Sequence, residues 1–262
     1  MHINLIELIN SADAVAVFAG AGMSVDSGLS PFRGDDGLWT KSISIEGKSY
    51  NHLDLMSHHA FIESPKEAWE FILNLNKKSE HTNPHEGYYK LLNTLKNKEY
   101  FIVTSNIDEH FLKAGFNENN IFECHGSVNY MQCLNILESE VWLTPDLKTE
   151  NIQLSDLPTC PNCGSICRPN VLMFGDWFWI PIRSIHQQIR YNKWCKDIKE
   201  TKKRVIAIEI GAGTTIRTIR KAAELFASNT FPLIRVNPFD AETKFYNHIS
   251  VKMSAKEFLM LL

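Results

Sequence analysis

The chain reads as an α/β protein: a Rossmann-like, doubly wound parallel sheet with a small inserted helical or zinc-ribbon-like module. Three observations predict this. Apolar, β-rich runs recur along the 262 residues with helical patterns between several of them, the rhythm of strand–helix–strand units. The runs are continuous and not alternating, as in strands buried on both faces. The first run also ends in Gly20-Ala21-Gly22, small residues that let a backbone turn sharply at a strand's end.

Taken in order, residues 1–9 predict an amphipathic helix and Ala14-Val15-Ala16-Val17-Phe18-Ala19 a buried strand. Helix-forming residues follow the glycine turn, so amide N–H groups would point at whatever lies above it, as in a dinucleotide phosphate cradle. Val25 stands where the third glycine of the usual fingerprint would be. Residues 34–80 carry a helical pattern, clearest over 65–75, with Trp39, Trp69, His52, His58 and His59. Helices are expected at 85–96 and 106–114, and strands at 100–104 and 121–124. Residues 127–169 are loop-rich, with Pro145, Pro158 and Pro161. Strands at 171–174, 205–210 and 231–236 and a helix at 214–227 complete the pattern, while 176–196, rich in Trp and Ile, resists assignment. One domain results, its core at about 1–33, 81–126 and 170–262 and its module at about 34–80 and 127–169.

Composition bounds the function. Hydrophobic content of 44% and charged content of 22% are those of a globular protein. A net charge of −3 gives no reason to expect nucleic acid as a partner. No apolar run reaches the ~20 residues that span a bilayer, and the amino terminus lacks a signal peptide's basic leader. The cysteines, at 124, 133, 160, 163, 167 and 195, suit metal ligation or free thiols better than a secreted disulfide framework. A cytoplasmic location is therefore expected.

Five segments carry chemistry. Gly20-Ala21-Gly22-Met23-Ser24 leads into Ser27-Gly28-Leu29-Ser30-Pro31-Phe32-Arg33. Ser105-Asn106-Ile107-Asp108 follows the strand at 100–104; an amide and a carboxylate there either bind a carboxamide or cap a helix. Cys124-His125-Gly126-Ser127 places an imidazole just after a strand, where it can take a proton near neutral pH. Cys160-Pro161-Asn162-Cys163 precedes Arg168 and the run Val171-Leu172-Met173-Phe174-Gly175-Asp176. Gly211-Ala212-Gly213-Thr214-Thr215 and Asn237 follow the last two strands.

This ordered set, over roughly residues 14–240, resembles the sirtuins, NAD-dependent protein deacylases. The resemblance implies NAD contacts at Gly20, Ala21, Gly22, Ser24, Phe32, Arg33, Ser105, Asn106, Ile107, Asp108, Gly211, Gly213, Thr214, Thr215 and Asn237. His125 would be the general base, with Asn106 beside it in catalysis. Val171, Phe174 and Gly175 would meet an acyl-lysine protein or peptide, whose backbone adds to the strand edge. Cys133, Cys160 and Cys163 would hold zinc with an unidentified fourth ligand, Glu138 or a histidine, because structural zinc sites want four. The other reading is a knuckle held by packing alone.

The chain also departs from the family's pattern. Ser30 and Pro31 replace a Pro-Asp pair, Ser105 replaces a glutamine, and Ile136 stands where a fourth cysteine belongs. Ile72 and Leu75, after Trp69-Glu70-Phe71, offer a dicarboxyl acyl chain no cation, which favours neutral acyl groups. The resemblance implies deacylation of lysine with release of nicotinamide and acyl-ADP-ribose. Two alternatives keep the fold: NAD hydrolysis or ADP-ribosyl transfer to protein, and a catalytically silent NAD or ADP-ribose binding module. Oligomeric state has no signal in the sequence.

Overall fold

The computed structural model describes residues 5–29, 42–45, 47–80, 82–135, 139–147, 152–228, 230–243 and 247–262, the side chains of 76–80 excepted. In chain order the first elements are α1 (Leu5–Ser11), β1 (Ala14–Ala19), β2 (Ser42–Ile45), β3 (Lys48–Asn51), α2 (His52–Leu55), α3 (His58–Glu63) and α4 (Pro65–Glu80). Next come α5 (Glu86–Leu95), β4 (Glu99–Thr104), α6 (His110–Lys113), β5 (Ile121–Glu123), β6 (Gly126–Cys133), β7 (Val141–Leu143) and β8 (Cys167–Val171). The last are α7 (Ile182–Glu200), β9 (Val205–Ile210), α8 (Thr218–Ala227), β10 (Leu233–Val236), β11 (His248–Val251) and α9 (Ala255–Leu259). No helix among the described residues is long and apolar enough to cross a membrane.

The chain divides into two compact units. The first comprises Met1–Leu29, Asn83–Cys124 and His186–Leu262. Its sheet has the order β11-β10-β9-β1-β4-β5, and every pairing in it is parallel. Renumbered within the unit this is the 3-2-1-4-5-6 order of dinucleotide-binding sheets, with its switch between β1 and β9. Burial explains the apolar runs. Val15, Val17 and Ala19 join Ile206, Ile208 and Ile210 against α5 and α9. Ala14, Ala16 and Phe18 join Val205 and Ala207 against α8 and Ile198 of α7. β1 and β9 are covered on both faces, so both faces of their two-residue repeats are apolar, apart from the buried Glu209 of β9, which bonds the buried Arg235 of β10.

The second unit comprises Ser30–Thr82 and His125–Ile185. It holds the β2–β3 hairpin and the three-stranded sheet β7-β6-β8, antiparallel throughout. Trp69 of α4 is fully buried. Its indole N–H donates to the Cys167 carbonyl at 2.8 Å, and its ring meets Phe61 edge-on.

Several expectations need correction. The strand expected at 171–174 is β8, Cys167–Val171, and it pairs antiparallel with β6. Residues 170–185, read as parallel-sheet core, therefore lie in the second unit, as do His125 and Gly126. The helix expected from 106 starts at His110, because Asp108 Oδ1 accepts the His110 N–H at 3.0 Å and Glu109 takes a positive φ of 57°. The unassigned 176–196 tract holds most of α7. The β2–β3 hairpin interrupts the helical pattern read over 34–80.

Candidate functional site

The first unit's site is built where the sheet order switches. The loops after β1 and β9 press against each other: Gly20 N–H donates to Ile210 O and Gly22 N–H to Gly211 O, each at 3.0 Å. A methyl group at Gly20 would lie 2.7 Å from Gly211 O, and one at Gly22 2.7 Å from Gly211 Cα. Gly211 has φ 64° and would drive a side chain into the Gly22–Met23 backbone. These three glycines are thus required by the meeting of two loops. Gly213 has no atom within 4 Å of where a side chain would begin, and Thr214 and Thr215 beside it are exposed.

The helix-forming residues after the first turn fold, over the described residues, as two single 3-10 turns, Ala21–Met23 and Val25–Ser27. Met23 N–H bonds Gly20 O and Ser24 N–H bonds Ala21 O. Of the amides from Gly20 to Ser24, Ala21's is the one left for a ligand among the described residues. The cradle therefore offers fewer amides than the glycine pattern implies.

Beneath it lies a polar floor. Ser24 Oγ donates to Asp108 Oδ2 at 2.6 Å and accepts from Asn106 Nδ2 at 3.2 Å. With its single proton on Asp108, Ser24 accepts the Tyr88 hydroxyl, 2.9 Å away. Asn106 also donates to Gly20 O at 3.1 Å, while its own N–H is held by Thr104 Oγ1. Ser24, Asn106 and Asp108 are thus brought together, with Ser105 and Ile107 on the same loop. Tyr88 was not foreseen, because it sits on a regular helical pattern. It is completely buried, and burial holds its phenol protonated, its pKa well above 10. His85, also unforeseen, bonds Met23 O through Nε2 and accepts Gly87 N–H at Nδ1.

At the β9–β10 side, Asn237 Nδ2 and Arg220 both donate to Ala212 O, at 3.1 and 2.8 Å. Arg235 of β10 is buried opposite Glu209 of β9, with two bonds of 2.8 Å to its carboxylate. Burial pushes Glu209 towards protonation, and Arg235 opposes that.

The second unit carries His125 at the start of β6. Its carbonyl accepts Leu172 N–H at 3.0 Å, and burial lowers its pKa below 6.5, so the imidazole is a neutral base at neutral pH. Gly126, with φ 78°, is demanded by the Asn170 carbonyl, which a side chain would strike. Val171 is buried at the end of β8, whereas Phe174 is 44% exposed on the following turn. Gly175 has φ 62° and open space beside it.

That turn is fastened by Arg168 and Asp176, to which the motif gave no role, and by Gln132. Arg168 and Asp176 form a 2.8 Å ion pair whose side chains are both inaccessible to solvent. Asp176 also accepts the N–H groups of Met173 and Phe178. Gln132 Oε1 accepts from Asn170 and from Ile180 N–H, and its Nε2 donates to Phe178 O. Buried polar groups of this kind declare themselves only through partners distant in sequence.

Cys133, Cys160 and Cys163 bring their sulfurs within 4.8 Å of one another. Cys133 Sγ and Cys163 Sγ are 3.5 Å apart, and Asn135 N–H donates to Cys133 Sγ at 3.2 Å. Burial pushes Cys133 up to about 12, while Ser165 hydrogen bonds bring exposed Cys163 down to about 7. Three convergent thiols with an amide donor on one of them fit three positions of a tetrahedral metal site. Cys167 is buried beside them but outside the 4.8 Å group. Glu138 and Ile136 lie outside the described residues, as do Ser30, Pro31, Phe32 and Arg33.

The chain is similar to known proteins in sequence and in fold. The sequence matches the Sir2 family over residues 20–198. It is 34% identical to an NAD-dependent protein deacylase of Pyrococcus abyssi over 64% of this chain and 63% of that protein. It is 29% identical to NAD-dependent protein deacylase 2 of Archaeoglobus fulgidus over 72% of this chain and 69% of that one. The match to the Pyrococcus relative thus spans less than two thirds of that relative's length. In fold, the chain superposes on a mutant Sir2 homologue solved with ADP-ribose with TM-score 0.73 at 21% identity, covering 99% of this chain and 94% of the other. The family match takes in the first glycine loop, the Asn106–Asp108 floor, His125 and the cysteine knuckle, and the chain belongs to the Sir2 family.

Proposed function

We propose that the protein is an NAD-dependent lysine deacylase, passing the acyl group of a modified lysine to ADP-ribose with release of nicotinamide. The observation that carries the reading is the pair of interlocked glycine loops over the Ser24–Asn106–Asp108 floor at the sheet's switch point. Bound NAD would supply a glycosidic bond whose cleavage opens the ribose carbon to an acyl oxygen. Ala21 N–H and the exposed Gly213–Thr215 loop would hold its phosphates and ribose, with Phe32, Arg33, Ser105, Ile107 and Asn237 completing the contacts. Asn106 and Asp108, fixed by Ser24 and Tyr88, would orient the carboxamide. His125, neutral through burial, would take the proton from a ribose hydroxyl.

Val171, Phe174 and Gly175 would meet the acyl-lysine and the peptide backbone, on a turn fixed by the Arg168–Asp176 pair. Ile72 is buried, so it serves packing; the preference for neutral acyl groups rests on the absence of a cation at positions 72 and 75. Cys133, Cys160 and Cys163 would hold a structural zinc with a fourth ligand. The cysteine spacing, which suits metal ligation better than a disulfide framework, supports a reducing, cytoplasmic location.

The test is nicotinamide release from NAD with and without an acetyl-lysine peptide. Peptide-dependent release supports deacylation. Equal release in both tubes would replace it with NAD hydrolysis or ADP-ribosyl transfer. Retained NAD binding with no release would leave a silent binding module.

A further inference from the structure

The loops after β9 and β10 form one rigid mount in the first unit, and the mount presents an aromatic ring to solvent. Asn237 Oδ1 accepts the N–H groups of Phe239 and Asp240, each at 2.9 Å. Its Nδ2 ties this turn to Ala212 O of the neighbouring loop. Arg220, buried, bridges the same two loops by donating to Ala212 O and Asp240 O, both at 2.8 Å. Thr214 Oγ1 adds a long bond of 3.4 Å to Asp240 Oδ2. Yet Phe239 is 84% exposed, and the described rings that pack together do not include it.

A lone exposed apolar side chain needs no ligand to explain it. The mount is what sets Phe239 apart, because a backbone held at both ends loses little freedom when something stacks on the ring. The neighbourhood narrows the choice of ligand. Exposed Gly213, Thr214 and Thr215 and the partly exposed Ile216 offer hydroxyls and an apolar edge on the adjoining loop. The Asp240 carboxylate beside the ring does not oppose a neutral heterocycle. Dinucleotides bind outside the carboxyl ends of such strands, reaching from the switch point across the neighbouring loops.

We infer that Phe239 is the stacking platform for the adenine ring of the bound nucleotide. The inference rests on the reading of this unit as an NAD site and adds a residue that sets affinity for the adenine end. A flat heteroaromatic ring on a phenylalanine face is a favourable offset-stacked pair. Alanine substitution at base-stacking aromatics elsewhere loses about 1–3 kcal/mol per base, roughly 5- to 150-fold in affinity.

The test is calorimetric titration of the full-length protein with ADP-ribose, using wild type, Phe239→Ala and Phe239→Trp. The expected results are a loss of roughly 5- to 150-fold for Phe239→Ala, recovery in Phe239→Trp with a changed indole emission on binding, and equal melting temperatures for all three. Unchanged ADP-ribose affinity in Phe239→Ala, beside a wild type that binds, would overturn this inference alone. A wild type that does not bind ADP-ribose would overturn the NAD-site reading as well. A loss in Phe239→Ala that Trp does not recover would assign the effect to the fold of the loop and reject stacking.

Discussion

Substituting Asp176→Asn should destabilise the protein by about 3–5 kcal/mol, the cost of leaving a buried charge without its partner. Both side chains of the Arg168–Asp176 pair are inaccessible to solvent, and burial already disfavours the charged form of Arg168. Asparagine keeps an oxygen for one of the Met173 and Phe178 amides but removes the charge that Arg168 faces. Urea unfolding followed by tryptophan fluorescence should show a midpoint lower by roughly 1–2 M at unchanged slope. The double variant Arg168→Met, Asp176→Asn removes both charges and should be more stable than Asp176→Asn alone, since no charge is then left unpaired. Deacylation should suffer beyond the stability loss, with a raised KM for peptide, because the Phe174–Gly175 turn hangs on this pair. A loss under about 1 kcal/mol, the range of exposed pairs, or a double variant no better than the single, would show that the pair is not held as a buried charge pair.

His125→Ala should lower acyl transfer by about 10²- to 10⁴-fold while ADP-ribose titrates it with wild-type affinity; weakened binding would make the residue a structural one. The kcat/KM profile should lose activity only as pH falls below 6.5, because burial lowers the His125 pKa; an acid limb centred above 6.5 would contradict that. Burial also lowers His58, His85 and His248, so the folded chain binds fewer protons than the unfolded one below the ordinary value of 6.5. Stability should therefore be greatest above pH 6.5 and fall as pH drops below it, readable as melting temperature against pH; a flat profile between pH 7 and 5 would contradict it. Chelation of the purified protein should remove about one zinc per chain and lower its melting temperature, and Cys160→Ser should yield protein with little zinc. Metal-free wild type with the same melting temperature would favour a knuckle held by packing.

The sheet was most legible where burial is complete. The runs at 14–19 and 205–210 coincide with β1 and β9, because strands covered on both faces are almost wholly apolar, Glu209 being the exception and buried against Arg235. β8 was misplaced for the opposite reason. Its Arg168 and Asn170 are buried and look unlike strand interior until Asp176 and Gln132 supply their partners. The apolar Leu172-Met173-Phe174 just beyond drew the prediction past the strand's end. The start of α6 was read early because Asn106 and Asp108 resemble helix caps; Asp108 does cap, but from the segment outside the helix.

In the site, the glycines were found for an incomplete reason. Loop-to-loop contact requires Gly20, Gly22 and Gly211, and phosphate approach is the use proposed for the same turn. Tyr88 was hidden in a helical repeat that would look the same with phenylalanine. Its hydroxyl bond to Ser24 is a tertiary fact with no local signature.

Lysine deacylation by this protein requires that the acyl group move to ADP-ribose. Mass spectrometry of a reaction containing the protein, NAD and an acetyl-lysine peptide tests this directly. Nicotinamide, deacetylated peptide and acetyl-ADP-ribose are expected in equal amounts. ADP-ribose and nicotinamide beside an intact acetylated peptide would contradict it.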